Sequence, residues 1–282
     1  MKYKIFVLAA IILLLITPAL GVISEYEAQG AVAKYQHDDE IAIAYGPYTY
    51  MDHPYYYIEF KTGNIKTGVM FIDGISKEPI TDKSIMEKIA YTHYALGDID
   101  FASLTQMAQV STELRQIPIM VRDLNNYVNE NQRAIAYLNS SEQKKINDML
   151  NILNKMNYSA MKIANTSDEF IAIGRDALNG NKSYDNAKKI MNAANGMARD
   201  FDEFSAVVKE MSAIDEEFDM SGELIQLEIV SDELRRLEQD AEKNVSWDVS
   251  SAESRINSIP GFGMLFAVCS LLIGGVLIKR RK

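Results

Sequence analysis

Apolar residues recur at alternating steps of three and four along most of this chain. Four segments show the repeat, and their apolar positions run over residues 107–138, 146–177, 187–218 and 227–259. A sustained three-four repeat is typical of helices that pack side by side, knobs into holes. The repeat shifts phase near Asn244, which predicts a local change in supercoiling there.

The breaks between the four segments are short and polar. They lie at residues 139–141, 179–183 and 219–222. Loops of this length join antiparallel neighbours. Ser140 with Gln143 fits a capping box at the start of the second helix, and Pro118 should kink or split the first helix. The sequence therefore predicts a mainly α fold with a long, coiled-coil-like antiparallel four-helix bundle, each helix about 50 Å long.

A different pattern precedes the bundle. Residues 24–40 have helical spacing, and strand-like runs follow at 41–45, 48–51, 55–60 and 65–73. This predicts a small α+β unit of one helix and about three antiparallel strands. The element order, with its strand, Thr62-Gly63-Asn64, strand hairpin, loosely resembles PepSY and cystatin-like modules. That resemblance implies a helix laid across a curved antiparallel sheet.

A secretory signal peptide is predicted at the N-terminus. Lys2 and Lys4 precede an apolar run at residues 5–15, and Ala19-Leu20-Gly21 supplies small residues for cleavage. This is the order of parts in a signal peptide, and the run is short for a membrane span. We therefore expect the rest of the chain to be secreted.

The C-terminal tail has three parts. Pro260-Gly261-Phe262 opens it, no charged residue lies between Ile259 and Ile278, and Lys279-Arg280-Arg281-Lys282 closes it. About 20 apolar residues span a bilayer core as a helix, and a basic cluster marks the cytoplasmic side. We therefore expect a C-terminal transmembrane helix, with the preceding ectodomain on the outer face of the membrane.

This order of Pro-Gly-Phe, apolar span and basic end resembles the PGF-CTERM sorting signal of archaeal surface proteins. The resemblance covers about the last two dozen residues. It implies recognition by an archaeosortase, removal of the transmembrane segment and attachment of the protein to a membrane lipid. An ordinary C-terminal membrane anchor is the alternative that the same residues leave open. The predicted domains are a signal peptide (1–21), the α+β unit (22–81), the bundle (82–258) and the tail (259–282).

Charge and cysteine content narrow the range of partners. The chain has 29 basic and 39 acidic residues, and six of the basic ones lie in the two ends. The ectodomain therefore has 23 basic against 39 acidic residues, a net charge of −16, which repels nucleic acid and anionic lipid. The single cysteine, Cys269, lies in the tail, so we expect no disulfide, cysteine metal site or thiol nucleophile in the ectodomain.

Five acceptor sequences for N-glycosylation occur, all within the predicted bundle. Their asparagines are Asn139, Asn157, Asn165, Asn181 and Asn244. On a secreted protein they favour a sugar-decorated surface. We expect Asn139 and Asn181 to be modified first, because predicted turns are the most accessible part of a bundle.

No sequence pattern assembles a catalytic site. The chain lacks a nucleophile elbow, a phosphate-cradling glycine loop and a dinucleotide fingerprint. His37, His53 and His93 do not have the spacing of metal ligands. The tyrosines between residues 45 and 57 fit either an aromatic binding surface or the buried face of a small sheet. We expect no enzymatic activity, no cofactor and no metal site.

Together these observations predict an acidic archaeal glycoprotein of the cell surface, anchored by its C-terminus. Its helical ectodomain would bind, act as a spacer or support the envelope. Its partners would be the membrane, an archaeosortase and envelope or S-layer proteins, but not nucleic acid. Two alternatives are a ligand-sensing bundle with a separate signalling partner and a PepSY-like regulator of a surface peptidase. The repeat also leaves open whether the helices close on themselves or pair in a homo-oligomer.

Overall fold

The structure is a computed structural model that describes residues 21–214 and 221–257. Helices make up 70% of it, and a small three-stranded antiparallel sheet precedes the long helices. The mainly helical fold and the sheet of about three strands are thereby confirmed. The described elements are α1 (Glu25–Ala31), a 3-10 turn (Ala33–Tyr35), β1 (Ile41–Tyr50), β2 (His53–Thr62), β3 (Ile65–Asp73), α2 (Lys83–Leu96), α3 (Phe101–Leu114), α4 (Ile117–Glu130), α5 (Gln132–Ile135), α6 (Ser140–Leu178), α7 (Tyr184–Ile214) and α8 (Ser221–Asn257).

The described residues fall into two compact units. The sheet unit comprises residues 21–93 together with 245–257, and the helical unit comprises Tyr94–Asn244. The sequence pattern assigned residues 82–258 to the bundle. In the structure most of α2 and the end of α8 belong with the sheet, so the sheet unit is built from two distant parts of the chain.

The three strands form a meander in the order β1-β2-β3. Met51 and Asp52, the two residues between β1 and β2, both have positive φ, as in the type I′ turn of a β-hairpin. Gly63 has a φ of 60° at the first central position of the turn between β2 and β3, where a type II′ turn requires a positive value. The hairpin expected at residues 62–64 is therefore present.

Helices cover both faces of the sheet. Tyr56 and Ile58 of β2 pack in one apolar cluster with α1, whereas Tyr55 and Tyr57 pack in a second cluster with α2. A strand covered on both faces has no solvent side, so its sequence does not alternate between apolar and polar residues. This explains the unbroken aromatic and aliphatic run in β2.

In the helical unit, α6 and α7 pack as an antiparallel pair. Lys162 reaches Glu203 at 2.7 Å, and Lys155 reaches Glu210 at 2.6 Å, so the two helices run in opposite directions. α3 and α4 pack on α6, and α8 contacts α7. All predicted core positions of α7 among the described residues are buried, namely Ala187, Ile190, Ala194, Met197, Phe201, Phe204, Val208 and Met211.

The first predicted long helix is interrupted twice. α3 ends at Leu114 and α4 begins at Ile117, so Pro118 lies in the first turn of a new helix, where its missing N–H costs no hydrogen bond. This confirms the expected split. A second break follows at Asn131, before the single turn of α5. Several apolar positions of this stretch, including Leu124, are exposed.

The N-terminal helix is shorter than expected. α1 ends at Ala31 and is followed by a single 3-10 turn, so the prediction of a helix to residue 40 is wrong. The Ser24 hydroxyl and the Glu27 carboxylate form a capping box that begins α1. Residues 36–40 instead lead the chain into β1, with Glu40 buried directly before the strand.

The capping box of α6 lies one residue earlier than expected. The Asn139 side-chain oxygen accepts bonds from the N–H groups of Ser141 and Glu142, at 3.0 and 2.9 Å. The Glu142 carboxylate in turn accepts from the Asn139 N–H at 3.0 Å. The predicted pairing of Ser140 with Gln143 is therefore wrong, although the predicted helix start is nearly right.

Two predicted targeting segments fall mainly outside the described residues. The signal peptide lies there except for Gly21, and so does the whole tail, residues 259–282. Among the residues that the structure does describe, none of the helices combines the length and the apolar character of a bilayer span.

Candidate functional site

The end of α8 is the last described part of the chain before the predicted tail. We call residues 245–257 the end segment. They begin where the apolar repeat shifts phase near Asn244, and the boundary between the two units falls at the same place. Val249 and Ala252 pack in the α2 cluster of the sheet, whereas Ile256 packs in the α1 cluster. The end segment therefore reaches both faces of the sheet.

It does so at the outer edge of β3. The Phe71 carbonyl on this edge accepts a bond from the Ile80 N–H at 2.9 Å. Two residues earlier, the Val69 N–H donates to the Ser251 hydroxyl of the end segment at 3.3 Å. The outward-facing backbone groups of an edge strand would otherwise lack protein partners. Ile80 provides a partner at Phe71, and the end segment provides one at Val69.

Arg255 makes the first of two buried charge contacts in the end segment. Its guanidinium donates to both carboxylate oxygens of Glu40, at 2.7 and 2.8 Å, and to the Tyr35 carbonyl at 2.8 Å. The guanidinium carbon also lies 4.0 Å from the ring centre of Phe60. Only 8% of the Arg255 side chain and 5% of the Glu40 side chain are exposed. The pair is therefore bidentate and shielded from water.

Gly68 of β3 makes room for this guanidinium. A Cβ atom at position 68 would lie 2.5 Å from Nη2 and 2.8 Å from Nε of Arg255. Neither distance is possible without movement of the buried pair. A glycine inside a strand often marks such a close approach, and here the approaching group comes from the end segment.

Asp248 makes the second contact, seven residues or about two helical turns before Arg255. Its carboxylate has no exposed surface. It accepts from the Lys66 ammonium at 2.6 Å and from the Tyr57 hydroxyl at 2.8 Å. The Lys66 nitrogen also lies 5.1 Å from the ring centre of Trp247. Because the two charged residues lie on one side of the helix, they hold the same side of the end segment against the sheet.

The surroundings of Glu40 favour its charged form. Hydrogen bonding from Arg255 is the largest favourable cause, and bonds from the His37 N–H and the Thr67 hydroxyl add to it. Together they lower the pKa of Glu40 to about 2, although burial acts in the opposite direction. The ion pair therefore remains charged in neutral and mildly acidic solution.

The tyrosine run belongs mainly to the core of the sheet unit. Tyr48 and Tyr57 are fully buried, and His93 of α2 stacks on the Tyr57 ring with centroids 3.9 Å apart. The Tyr48 hydroxyl and His93 Nδ1 are hydrogen-bonded at 2.8 Å. The buried-face interpretation is confirmed for these residues, which are unavailable as an aromatic binding surface.

The other histidines lie apart. His53 Nε2 contacts the Asp73 carboxylate at 2.7 Å, and His37 is exposed in the loop before β1. Within the described residues, no group of three or more histidine, cysteine, aspartate or glutamate side chains is arranged to hold a metal ion.

The structure distinguishes the five glycosylation acceptors by exposure. Four are exposed: Asn139 and Asn181 at helix ends, and Asn165 and Asn244 on helical surfaces. Asn157 is half-buried within α6. Its side-chain oxygen is buried with no hydrogen-bond partner, and the serine of its acceptor sequence, Ser159, is only 4% exposed. We therefore expect Asn157 to remain unmodified in the folded protein.

The helical unit also contains an open polar groove. Asn195 of α7 donates a hydrogen bond to Glu238 of α8 within it. Amides, arginines and one carboxylate share the lining, a mixture able to bind a small charged molecule. The residues that line the groove are Asn192, Asn195, Arg199, Arg235, Glu238 and Gln239.

The predicted sorting residues Pro260, Gly261 and Phe262 lie outside the described residues, as does the basic cluster at 279–282. The structure describes the helix that leads to them.

Comparisons with known protein families, curated proteins and solved structures found no match to this chain. The functional assignment therefore depends on the tail sequence and on the contacts of the end segment.

Sequence reasoning did not single out the charged residues of the end segment. One usable signal was present, because Asp248 and Arg255 lie one heptad apart beside the apolar stripe. Gly68 inside an otherwise strong strand was a second signal. Neither signal identifies the partners Glu40 and Lys66, which lie about 200 residues away in sequence.

Proposed function

We propose that this chain is an archaeal cell-surface protein, held on the outer side of the membrane by its C-terminal tail. Its ectodomain binds, acts as a spacer or supports the envelope without catalysis. The observation that best supports this proposal is the docking of the end segment. After Asn257 only two residues precede Pro260, and two extended residues span about 7 Å. The fold thus holds the chain firmly just before the proposed anchor.

In this proposal the helical unit is a long antiparallel four-helix bundle. The antiparallel pairing of α6 and α7, with α3 on α6 and α8 on α7, supports this arrangement. Residues 259–278 form the transmembrane helix, and an archaeosortase recognises Pro260-Gly261-Phe262, removes that helix and joins the protein to a membrane lipid. Sugars on exposed asparagines complete the surface protein.

Intact-mass measurement and C-terminal peptide mapping of the native membrane protein test the proposal. We expect loss of the peptides after Phe262 and added lipid mass. A Pro260→Ala, Phe262→Ala variant should keep its full tail, whereas a matched Ser258→Ala variant should be processed normally. An intact tail through Lys282 in the native protein would rule out sorting and indicate a plain transmembrane anchor.

A second candidate function is ligand sensing, which the polar groove between α7 and α8 favours. Arg199 could bind a carboxylate, and Glu238 could bind an amine. Thermal unfolding of the full chain with amino acids and dicarboxylates tests this function. A shift that Arg199→Met abolishes would support sensing, and the absence of any shift across the series would count against it.

A further inference from the structure

α3 and α6 are joined by a small polar contact. The hydroxyl of Ser111, a buried residue of α3, lies 3.3 Å from the Ala164 carbonyl and 2.7 Å from the Asp168 carboxylate, both on α6. Arg115, one turn after the serine, donates to the same carboxylate at 2.5 Å. The serine thus contacts a backbone carbonyl and a carboxylate four residues apart, while the arginine holds that carboxylate from outside.

The same contact joins α8 to α7. The buried Ser231 hydroxyl lies 3.0 Å from the Ala198 carbonyl and 2.8 Å from the Asp202 carboxylate. Arg235, again one turn after the serine, also binds that carboxylate. Each atom in this set has a counterpart in the first set, with the same spacing along both helices.

The sequences around the two contacts match as well. Residues 104–115 and 224–235 are identical at seven of twelve positions, Leu, Gln, Val, Ser, Glu, Leu and Arg, without a gap. Residues 160–170 and 194–204 share five of eleven positions, two alanines and the Asp-Glu-Phe triplet. We call α3 and α8 the serine–arginine helices, and α6 and α7 the alanine–aspartate helices.

Equivalent positions also have equivalent surroundings. Val110 and Val230 are each 37% exposed, and the alanines that offer the two carbonyls are both buried. Thr166 and Asp200 occupy matching positions on the two alanine–aspartate helices and contact each other at 3.3 Å. Such a contact between matching positions is expected where a local twofold axis relates two antiparallel helices.

We propose that the helical unit consists of two equivalent helix pairs, and that the docking sites on α6 and α7 each accept either serine–arginine helix. The partner that fits these sites is a helix with serine and arginine one turn apart beside an apolar stripe. Two such helices, α3 and α8, are present in this chain and occupy the two sites. The inference does not depend on the anchoring proposed above.

The chemistry of the contact explains why it specifies pairing. A serine hydroxyl among apolar side chains needs a hydrogen-bond partner, because leaving it unpaired is costly. The small alanine lets the serine approach the backbone carbonyl of the neighbouring helix. A shift of the helix by one or two residues would separate the serine, the carbonyl and the carboxylate. The three-four apolar repeat alone discriminates less, because a shift by a whole heptad again places apolar residues opposite apolar residues.

Exchange of the two serine–arginine segments in the full chain tests the proposal. The variant carries residues 224–237 at positions 104–117 and the reverse. We expect an unfolding equilibrium constant within about tenfold of wild type, since each docking site still receives a buried serine and its arginine. A control variant carries the same exchange with both segments moved by two residues, which turns the serine away by about 200°. That control should unfold more than about a hundredfold more readily.

Single substitutions provide a second test. Ser111→Ala and Ser231→Ala should raise the unfolding constant by similar factors, up to about tenfold each. Asp200→Asn, which alters the contact with Thr166 and removes a charge near Lys162 but leaves both serine contacts intact, is the matched control and should have a smaller effect. Serine variants that differ from each other by more than about tenfold would overturn the proposal. So would an exchange variant as unstable as the shifted control.

Discussion

The two units differ in the burial of their ion pairs, although the sheet unit also has an exposed pair between Lys77 and Glu27. In the sheet unit, Arg255 and Glu40 form a bidentate pair that is almost fully buried, and Asp248 is buried beside Lys66. In the helical unit, the pair between Lys155 and Glu210 is exposed at both ends, by 55% and 49%. Lys66–Asp248 and Lys155–Glu210 are both ammonium–carboxylate pairs, so burial of the carboxylate is what distinguishes them.

That difference follows from how the chain assembles each unit. Neighbouring long helices of the helical unit follow one another along the chain, and an apolar repeat with short loops suffices to align them. The sheet unit must instead recruit the end segment from about 150 residues away. A buried charge that is satisfied in only one position discriminates against other positions. We infer that the buried pairs select where the end segment docks, whereas the exposed pairs contribute little to the alignment of the helices.

The largest effect that would sharpen this comparison is expected from Arg255→Met. Removing the guanidinium leaves the Glu40 carboxylate buried without its main partner, which should cost about 3–5 kcal/mol. Lys209→Met, which breaks the exposed pair with Glu228, should cost about 0–1 kcal/mol. Amide hydrogen exchange of β2 and β3 peptides in the full chain measures the first effect, and exchange of α7 peptides measures the second.

A double variant separates the loss of the pair from the loss of packing. Glu40→Gln with Arg255→Met removes both charges, so it should recover much of the stability that Arg255→Met alone loses. If the two single replacements, Arg255→Met and Lys209→Met, cost the same, the contrast between the units would be mistaken.

Acid should weaken the sheet unit through Glu40. Its pKa is about 2 in the folded protein, against 4.5 for an ordinary glutamate. Because the folded pKa is the lower one, the contribution of Glu40 is complete above about pH 4.5 and is lost as pH falls towards 2. Urea unfolding of wild type and Glu40→Gln between pH 5 and 2 should therefore show stabilities that converge as pH falls. A difference between the two proteins that stays constant from pH 5 to pH 2 would contradict this expectation.

A glycine in each unit allows a matched comparison of space. Gly68→Ala puts a methyl group 2.5 Å from the Arg255 guanidinium and should cost about 1–3 kcal/mol. Gly196→Ala in α7 meets only the Thr166 methyl group at 3.4 Å, and alanine favours helix over glycine by up to about 1 kcal/mol. Thermal unfolding should therefore show a loss for the first and no loss for the second. A harmless Gly68→Ala would mean that the buried pair can move.

Local periodicity explains how much of this fold could be predicted. α6, α7 and α8 begin or end within a few residues of the expected positions, because long apolar repeats and polar breaks mark them. The hairpin at Gly63 was equally clear. The predicted N-terminal helix was too long, because residues 36–40 interrupt the helical spacing only weakly. In the structure these residues are not helical, and they lead to the buried Glu40.

Contacts across long sequence distances could not be predicted. A periodic pattern shows that one side of α8 is apolar, but it does not say that Asp248 and Arg255 dock on a sheet formed by residues 41–73. A periodic pattern can also predict burial that the structure does not show. Leu124 lies at an apolar position of the repeat, but it is exposed. The serine–arginine repeat was visible in the sequence, but only the contacts of Ser111 and Ser231 show what it does.

The smallest effects should be alike in the two units, because they involve exposed groups in both. The capping boxes of α1 and α6 satisfy the same backbone donors at exposed helix starts. Ser24→Ala and Asn139→Ala should each cost about 1 kcal/mol.

Ser141→Ala is the matched control for a sugar on Asn139, since it removes the acceptor sequence and keeps the cap. Thermal unfolding of the three variants should place Ser24→Ala and Asn139→Ala together, with Ser141→Ala near wild type. If the two cap variants differ severalfold in cost, the units differ in more than the burial of their charges, because neither cap is buried. If Ser24→Ala and Asn139→Ala cost the same, the burial of the ion pair is enough to explain why Arg255 and Lys155 differ.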